Sequence, residues 1–342
     1  MPTSPPDVLV VSVGATTGWR AAARELADGL ARGGAHVQTV DTGPVPTVRT
    51  FMLTDFVQAL AARRSTACAL AAEPGRVGAA GGGGPAIVYC SMTAALLWPR
   101  PGAIWLDSLA RENRPGRHGL WQRPMETRRL AAATLVLTMA ENSLAPLGSA
   151  WPAHVEPIVV PVAVDPSGPV DGVRDIDVLA YTGDPVKRRL DFILGAWERA
   201  RREGETLVVA GIDRDPAPPG VRFAGRLAPA EYRQLVRRAR VYVAAPRRED
   251  FGIAPLEALA DGCQLVTTPA PGPYVALGLA RRLDPRLVAE DLAPALRHAL
   301  DEPRADYAAR AAELLAPFHR AAVDRTLAER VLPRLLARWA PQ

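Results

Sequence analysis

The chain has 342 residues, 48% hydrophobic and 23% charged, which fits soluble globular structure and leaves room for two ordinary domains. Its formal net charge of +5 is spread out: residues 1–160 hold 14 of the 41 basic and 11 of the 36 acidic side chains. With no basic tail or domain, nucleic acid is not an expected partner, while loose peripheral contact with an acidic membrane surface stays open.

In chain order, the N-terminal stretch MPTSPPDVLVVSVGATTG has no positive region ahead of its apolar run, so it does not read as a signal peptide. The run Asp7–Val13 reads as a short buried strand. The loop GATTGW follows, then helical spacing over Arg20–Gly34 and a second strand at His36–Thr42. Strand, Gly-containing loop, helix and strand open a parallel α/β sheet. Further strands are predicted at Pro85–Ser91, Gly102–Ser108, Ala133–Met139 and Glu156–Val162, with helices over 54–72 and 121–132. The glycine run Gly78–Ala86 reads as a surface loop. No segment reaches the ~20 apolar residues of a membrane span.

The segment Pro161–Asp175, rich in Pro, Gly and Asp, reads as a linker, because the same grammar restarts after it. Strands are predicted at Ile176–Gly183, Glu205–Gly211, Gly220–Gly225, Val241–Pro246 and Gln264–Pro269. Helices are predicted at Arg188–Gly204, Ala228–Arg240 and Gly252–Gly262. The last segment, Pro317–Ala340, is amphipathic and helical, interrupted at Pro333. The expected division is 1–165, 176–316 and a C-terminal helix over 317–342 that packs back on the first domain. Two such sheets set carboxyl end to carboxyl end make a cleft, where open α/β sheets bind ligands. Cys68, Cys90 and Cys263 are odd in number and far apart, which points to a reducing, cytoplasmic setting.

The densest signal is APRREDFGIAPLEALADGCQLVTTP, Ala245–Pro269. Glu249 lies in a loop at a strand's carboxyl end, Gly252 opens a helix with free backbone N–H groups, and Glu257 sits among apolar neighbours in that helix. A carboxylate there needs partners, and a sugar diol is a good one. On spacing alone, the reading of Glu249 as a solvated loop acid and Glu257 as an exposed helix-face acid is as open as the ligand-binding one. The stretch YTGDPVKRRLD holds Lys187, the one lysine in the chain, beside Arg188.

EDFGIAPLEALADG resembles the E-x₇-E motif of the retaining glycosyltransferases of family 4, which have the GT-B fold: two Rossmann-like α/β domains facing across a cleft. The likeness continues through VLAYTGDPVKRRLDFILGAWERA, TLVVAGIDRD and VRFAGRLAPAEYRQLVRRARVYVAAP. It is weaker in METRRLAAATLVLTMAENSLAPL and PIVVPVAVDP of the first half. The resemblance implies sugar transfer from a nucleoside-diphosphate sugar to a hydroxyl acceptor: an envelope glycan, a lipid-linked sugar or a small metabolite. It implies Glu257 on the ribose hydroxyls and Glu249 on the donor sugar. The amides of Phe251, Gly252 and Ile253 would meet the sugar or distal phosphate, and Lys187 and Arg188 the diphosphate. Gly14 and Gly18 would let the first loop approach the donor.

The sequence departs from the family at three places. Aligned through Asp191, Arg188 rather than Lys187 stands where the family has Lys, and Asp184 stands where it has Arg. Asp107 replaces a His near the acceptor, where it either orients a hydroxyl or ends the strand and caps a turn. The resemblance implies neither a catalytic metal nor another cofactor. The competing readings are a GT-B nucleotide-sugar epimerase, which needs acid/base groups in a chain with five His, and a dinucleotide-binding α/β oxidoreductase, for which GATTGW lacks the G-x-G-x-x-G pattern.

Overall fold

The computed structural model describes residues 5–14, 17–43, 48, 50–72, 84–150, 156–169 and 172–337. The chain divides into two units: residues up to Ala163 together with those from Arg320 on, and Val164–His319.

The first unit contains β1 (Val8–Ser12), α1 (Thr17–Arg32), β2 (Val37–Asp41), α2 (Phe51–Ala71), β3 (Ala86–Cys90), α3 (Met92–Ala95), β4 (Ala103–Leu106), α4 (Ala110–Asn113), α5 (Gln122–Ala132), β5 (Leu135–Thr138) and β6 (Ile158–Val159). Its sheet is parallel, in the order β2-β1-β3-β4-β5-β6. Strands covered on both faces read as unbroken apolar runs, and Val8, Leu9, Val10 and Val11 are indeed buried. α1 buries Ala22, Ala23, Leu26, Ala27 and Leu30, the stripe its spacing predicts. Gly78–Gly83, most of the predicted glycine loop, lie outside the described residues.

The second unit contains β7 (Ile176–Tyr181), α6 (Leu190–Ala200), β8 (Leu207–Ala210), β9 (Val221–Gly225), α7 (Pro229–Arg237), β10 (Ala239–Ala244), α8 (Ile253–Ala260), β11 (Gln264–Thr267), α9 (Val275–Leu283), α10 (Leu292–Asp301) and α11 (Tyr307–Leu315). Its sheet is also parallel, in the order β11-β10-β7-β8-β9. The Pro/Gly/Asp-rich segment is not slack here. The Ser167 N–H and Oγ donate to the buried Asp261 carboxylate at 2.7 and 2.8 Å, and Arg174 donates to the Asp261 carbonyl at 2.7 Å.

After the second unit the chain returns to the first as α12 (Arg320–Thr326), a π-helical turn (Leu327–Val331) and α13 (Leu332–Ala337). It packs on α1, where a Cβ at Gly29 or Gly33 would lie 2.5 Å from a methyl of Leu327 or Leu332. Arg32 grips Asp324 at 2.7 and 2.8 Å, and Arg320 pairs with Glu25. Pro333 does not interrupt the helix as expected. It is the second residue of α13, where its missing N–H forfeits little, and the wider turn before it removes the clash with the preceding carbonyls.

Glu126 of α5 is a fully buried acid. Its Oε2 accepts from the Ala110 N–H at 2.6 Å, capping α4, while Oε1 is buried with no described partner. Burial pushes this carboxyl up to about 7; the Ala110 N–H and Arg111 pull it down, and Glu112 pushes it up. The folded state therefore holds a proton that the unfolded chain, near 4.5, has released. Stability from this group is complete below about pH 4.5 and is lost as pH rises through 7, about 3 kcal/mol across the window. Glu126→Gln should remove that slope. Urea midpoints should show the variant gaining on wild type by 2–3 kcal/mol (about 1.4 kcal/mol per pKa unit) between pH 5 and pH 8. An equal difference at both pH values contradicts this.

Candidate active site in the second unit

β7 and β10 are neighbours, yet the chain leaves β7 toward β8 on one side and β10 toward β11 on the other. The loops leaving their carboxyl ends diverge and open a crevice, the usual ligand position of a doubly wound sheet. The loop after β7 carries Lys187 and Arg188; the loop after β10 carries Glu249 to Gly252. The two loops are laced together. Arg247 N–H donates to the Lys187 carbonyl at 2.9 Å, its Nε donates to the Val186 carbonyl at 3.1 Å, and Arg188 Nη1 donates to Glu249 Oε2. The loop after β11 joins them: Glu249 N–H donates to the Pro271 carbonyl at 3.1 Å, and Tyr274 N–H donates to the Glu249 carbonyl at 3.3 Å.

Asp184 shapes the first of these loops. Its Oδ1 accepts from the N–H groups of Val186 and Lys187 at 3.1 and 2.9 Å, and its carbonyl accepts from Arg188 N–H at 2.9 Å. This closes a tight turn that leaves Lys187 exposed and turns Arg188 inward. Burial pulls the Arg188 guanidinium down. The charge and hydrogen bond of Glu249 more than offset it, so Arg188 ends above its ordinary value. Tyr242 and Tyr274 stand nearby, both buried, with phenols pushed far up by burial.

Glu249 is 6% exposed, so it is not a solvated loop acid. Two residues past Asp250, Gly252 takes φ +90° and caps α8 without a side-chain bond. A Cβ there would lie 3.0 Å from the Tyr274 ring, so only glycine fits both the dihedral and the space. The N–H groups of Phe251, Gly252 and Ile253 have no described acceptor, which leaves a helix start open to an anion or a sugar oxygen.

Glu257 lies inside α8 with its side chain 24% exposed. Its Oε1 accepts from Arg233 Nη1 at 3.3 Å, and Oε2 has no partner among the described residues. Burial pushes its carboxyl above the usual range; Arg233 pulls it back, and Asp261 one turn on pushes it up.

The structure thus brings together Lys187, Arg188, Glu249, Phe251, Gly252 and Ile253 at the carboxyl end of the second sheet, with Glu257 on the helix that starts there. Gly14, Gly18 and Asp107 belong to the first unit. Gly14 has φ +58° in the loop after β1, and its carbonyl accepts from Arg20 at 2.6 Å. Gly18 is not a loop residue as expected: α1 starts at Thr17, three residues before the predicted start, and Gly18 is in its exposed first turn. Asp107 follows β4, and its Oδ1 accepts from Ser108 N–H at 2.7 Å. Among the described residues no group of three or more His, Cys, Asp or Glu could hold a metal ion. Sequence reasoning missed Arg233 and Asp261. Nothing in EYRQLVRRAR separates Arg233 from Arg237, Arg238 and Arg240, and Asp261 reads as a helix-end acid.

Residues 177–302 match the family model described as Glycosyl transferases group 1. No curated protein matches the sequence. Among solved structures, the chain is similar to WaaG, a glycosyltransferase involved in lipopolysaccharide biosynthesis, at 15% identity and a TM-score of 0.68, covering 95% of this chain and 99% of that one. It is also similar to sucrose-phosphate synthase from Thermosynechococcus elongatus, at 16% identity and a TM-score of 0.61, covering 93% and 96%. Anabaena HepE, solved in complex with UDP and glucose, gives 14% identity and a TM-score of 0.62, covering 95% and 98%. The second unit therefore carries a glycosyl transferases group 1 domain, and the chain has the GT-B fold.

Proposed function

We propose that this protein is a glycosyltransferase that takes its sugar from a nucleoside diphosphate and passes it, with retention of anomeric configuration, to a hydroxyl acceptor. One observation carries the reading: two cations, a buried carboxylate and three open amides converge at the switch point of the second sheet. A donor laid across it would place its ribose on Glu257, its diphosphate on Lys187 and Arg188, and its sugar against Glu249 and the α8 amides. The UDP and glucose bound by HepE are ligands of this class.

As the glycosidic bond breaks, negative charge gathers on the leaving phosphate, where side-chain cations stabilise it without a metal. Arg188 can serve both partners at once. Its guanidinium has five donors in a fork, and the bond to Glu249 uses Nη1. In retention, the departing phosphate oxygen takes the acceptor proton on the face it leaves, so the protein's task is placement. The acceptor class stays as broad as an envelope glycan, a lipid-linked sugar or a small metabolite. We place the protein in the cytoplasm, touching an acidic membrane surface peripherally; the net charge of +5 and the exposed Met52, Leu53, Phe56 and Leu120 support that contact.

The first test is incubation with a panel of sugar nucleotides, reading nucleoside diphosphate release and the anomeric coupling of the product by NMR, with and without EDTA. Retention and EDTA resistance are expected; inversion or metal dependence overturns the corresponding part. Lys187→Ala should lose about 2–3 kcal/mol of transition-state stabilisation in kcat/KM, and Lys187→Arg should recover only part. Normal kcat/KM in Lys187→Ala would leave the phosphate to Arg188 alone. Glu249→Gln should cut turnover by about a hundredfold while calorimetry shows bare-nucleotide affinity within about threefold of wild type. Equal losses with sugar nucleotide and bare nucleotide would remove Glu249 from the sugar.

A further inference from the structure

Arg233 holds three acceptors with one guanidinium. Nε donates to Asp261 Oδ2 at 2.8 Å, Nη1 to Glu257 Oε1 at 3.3 Å, and Nη2 to the Asp165 carbonyl at 2.9 Å. Its side chain is 16% exposed. Asp261 is locked on its other side by Ser167, whose Oγ and carbonyl in turn accept from Arg237 at 2.7 and 3.0 Å. The guanidinium is therefore held from three sides, and among its described side-chain partners Glu257 is the one with an oxygen still open.

We infer that Arg233 is the positioning residue of the nucleoside site, holding the Glu257 carboxylate in place with Oε2 free to take vicinal hydroxyls. This rests on the reading of Glu257 as the ribose ligand. Two acids one helical turn apart, Glu257 and Asp261, repel each other, and a single Arg between them offsets both charges. The groups facing Glu257 are Arg233 and Tyr232 from α7, Tyr242 from β10 and Asp261 at the C-terminal cap of α8. Of these only Arg233 is a cation. A protonated Glu257 would turn one acceptor oxygen into a donor and could no longer accept from two hydroxyls. Arg233 thus fixes both the position and the protonation state of the ligand group without touching the ribose.

The test is calorimetry with UDP, GDP, ADP and CDP and with their 2′,3′-dideoxy counterparts, on wild type, Arg233→Gln, Arg233→Lys and Glu257→Gln. In wild type, loss of both hydroxyls should weaken the best nucleotide by roughly tenfold or more. In Arg233→Gln the ribo form should weaken by roughly tenfold and the dideoxy form by less than about twofold, so that the discrimination collapses as it does in Glu257→Gln. On acidification, Arg233→Gln should lose ribo-nucleotide affinity at a higher pH than wild type. Arg233→Lys keeps a charge beside the buried Asp261, so it folds even if the Gln variant does not; a single ammonium cannot span three acceptors, and discrimination should again fall. Equal weakening of ribo and dideoxy forms in the Lys and folded Gln variants would make Arg233 merely structural and overturn the inference alone. Wild-type discrimination retained in Glu257→Gln would overturn the ribose reading first, and the inference with it. Binding of none of the four nucleotides to wild type would overturn the donor reading and both claims built on it.

Discussion

The ion pair between Arg188 and Glu249 joins the two loops that leave the second sheet where its strand order reverses. Diverging loops at such a point have no ladder to hold them, and the crevice exists only if something fixes both rims. Here that is one pair of opposite charges, seconded by the Arg247 bonds to the backbone of the first loop. A largely buried pair is an expensive way to join loops. The desolvation of two ions offsets most of their attraction, and apolar packing would serve stability as well. Its presence at a carboxyl edge is better explained by chemistry. A buried guanidinium with donors to spare and a buried carboxylate with oxygens to spare are ready-made contacts for a charged, hydroxyl-rich ligand.

That pair in turn requires the backbone around it. Glu249 is anchored through its own N–H and carbonyl to the loop after β11, so the carboxylate is aimed by main chain rather than by a free side chain. Gly252 then turns the chain at φ +90° into α8, and the turn leaves three amides unused beside the acid. Further along the helix, Glu257 and Asp261 divide roles. Asp261 is bonded through both oxygens and buried, a structural acid; Glu257 keeps one oxygen without a partner among the described residues. The distinction between them is made by Arg233 and Ser167, not by the helix.

The alternation of strands and helices was legible because parallel strands buried on both faces must be apolar throughout, as at Val8–Val11, and because helices such as α1 must show a stripe. The loops were legible where glycine and adjacent charges punctuate the pattern, as at Asp184 to Arg188 and Glu249 to Gly252. Three things were not. The start of α1 was set three residues late because Gly18 reads as a loop residue, although the first turn of a helix tolerates glycine. Pro333 reads as a break only if the helix before it stays α; the π turn of Leu327–Val331 changes that. Arg233 was invisible because its partners Glu257 and Asp261 lie 24 and 28 residues away and meet it only in the folded unit.

The single lysine among 40 arginines can now be read against its neighbours. Arg188 is committed to Glu249 and Arg248 to Asp250, and Arg189 lies over the Phe192 ring at 3.9 Å. Each of these planar forks is held by a partner of matching shape. Lys187 is different: the Asp184 turn fixes its backbone, its side chain is exposed, and its ammonium has no acid partner among the described residues. An ammonium on four carbons is strongly hydrated, carries three rotatable donors and meets a phosphate as a point charge from many directions. At a rim whose arginines are already engaged, the cation most available to an incoming anion is the one side chain that the rest of the sequence does not use.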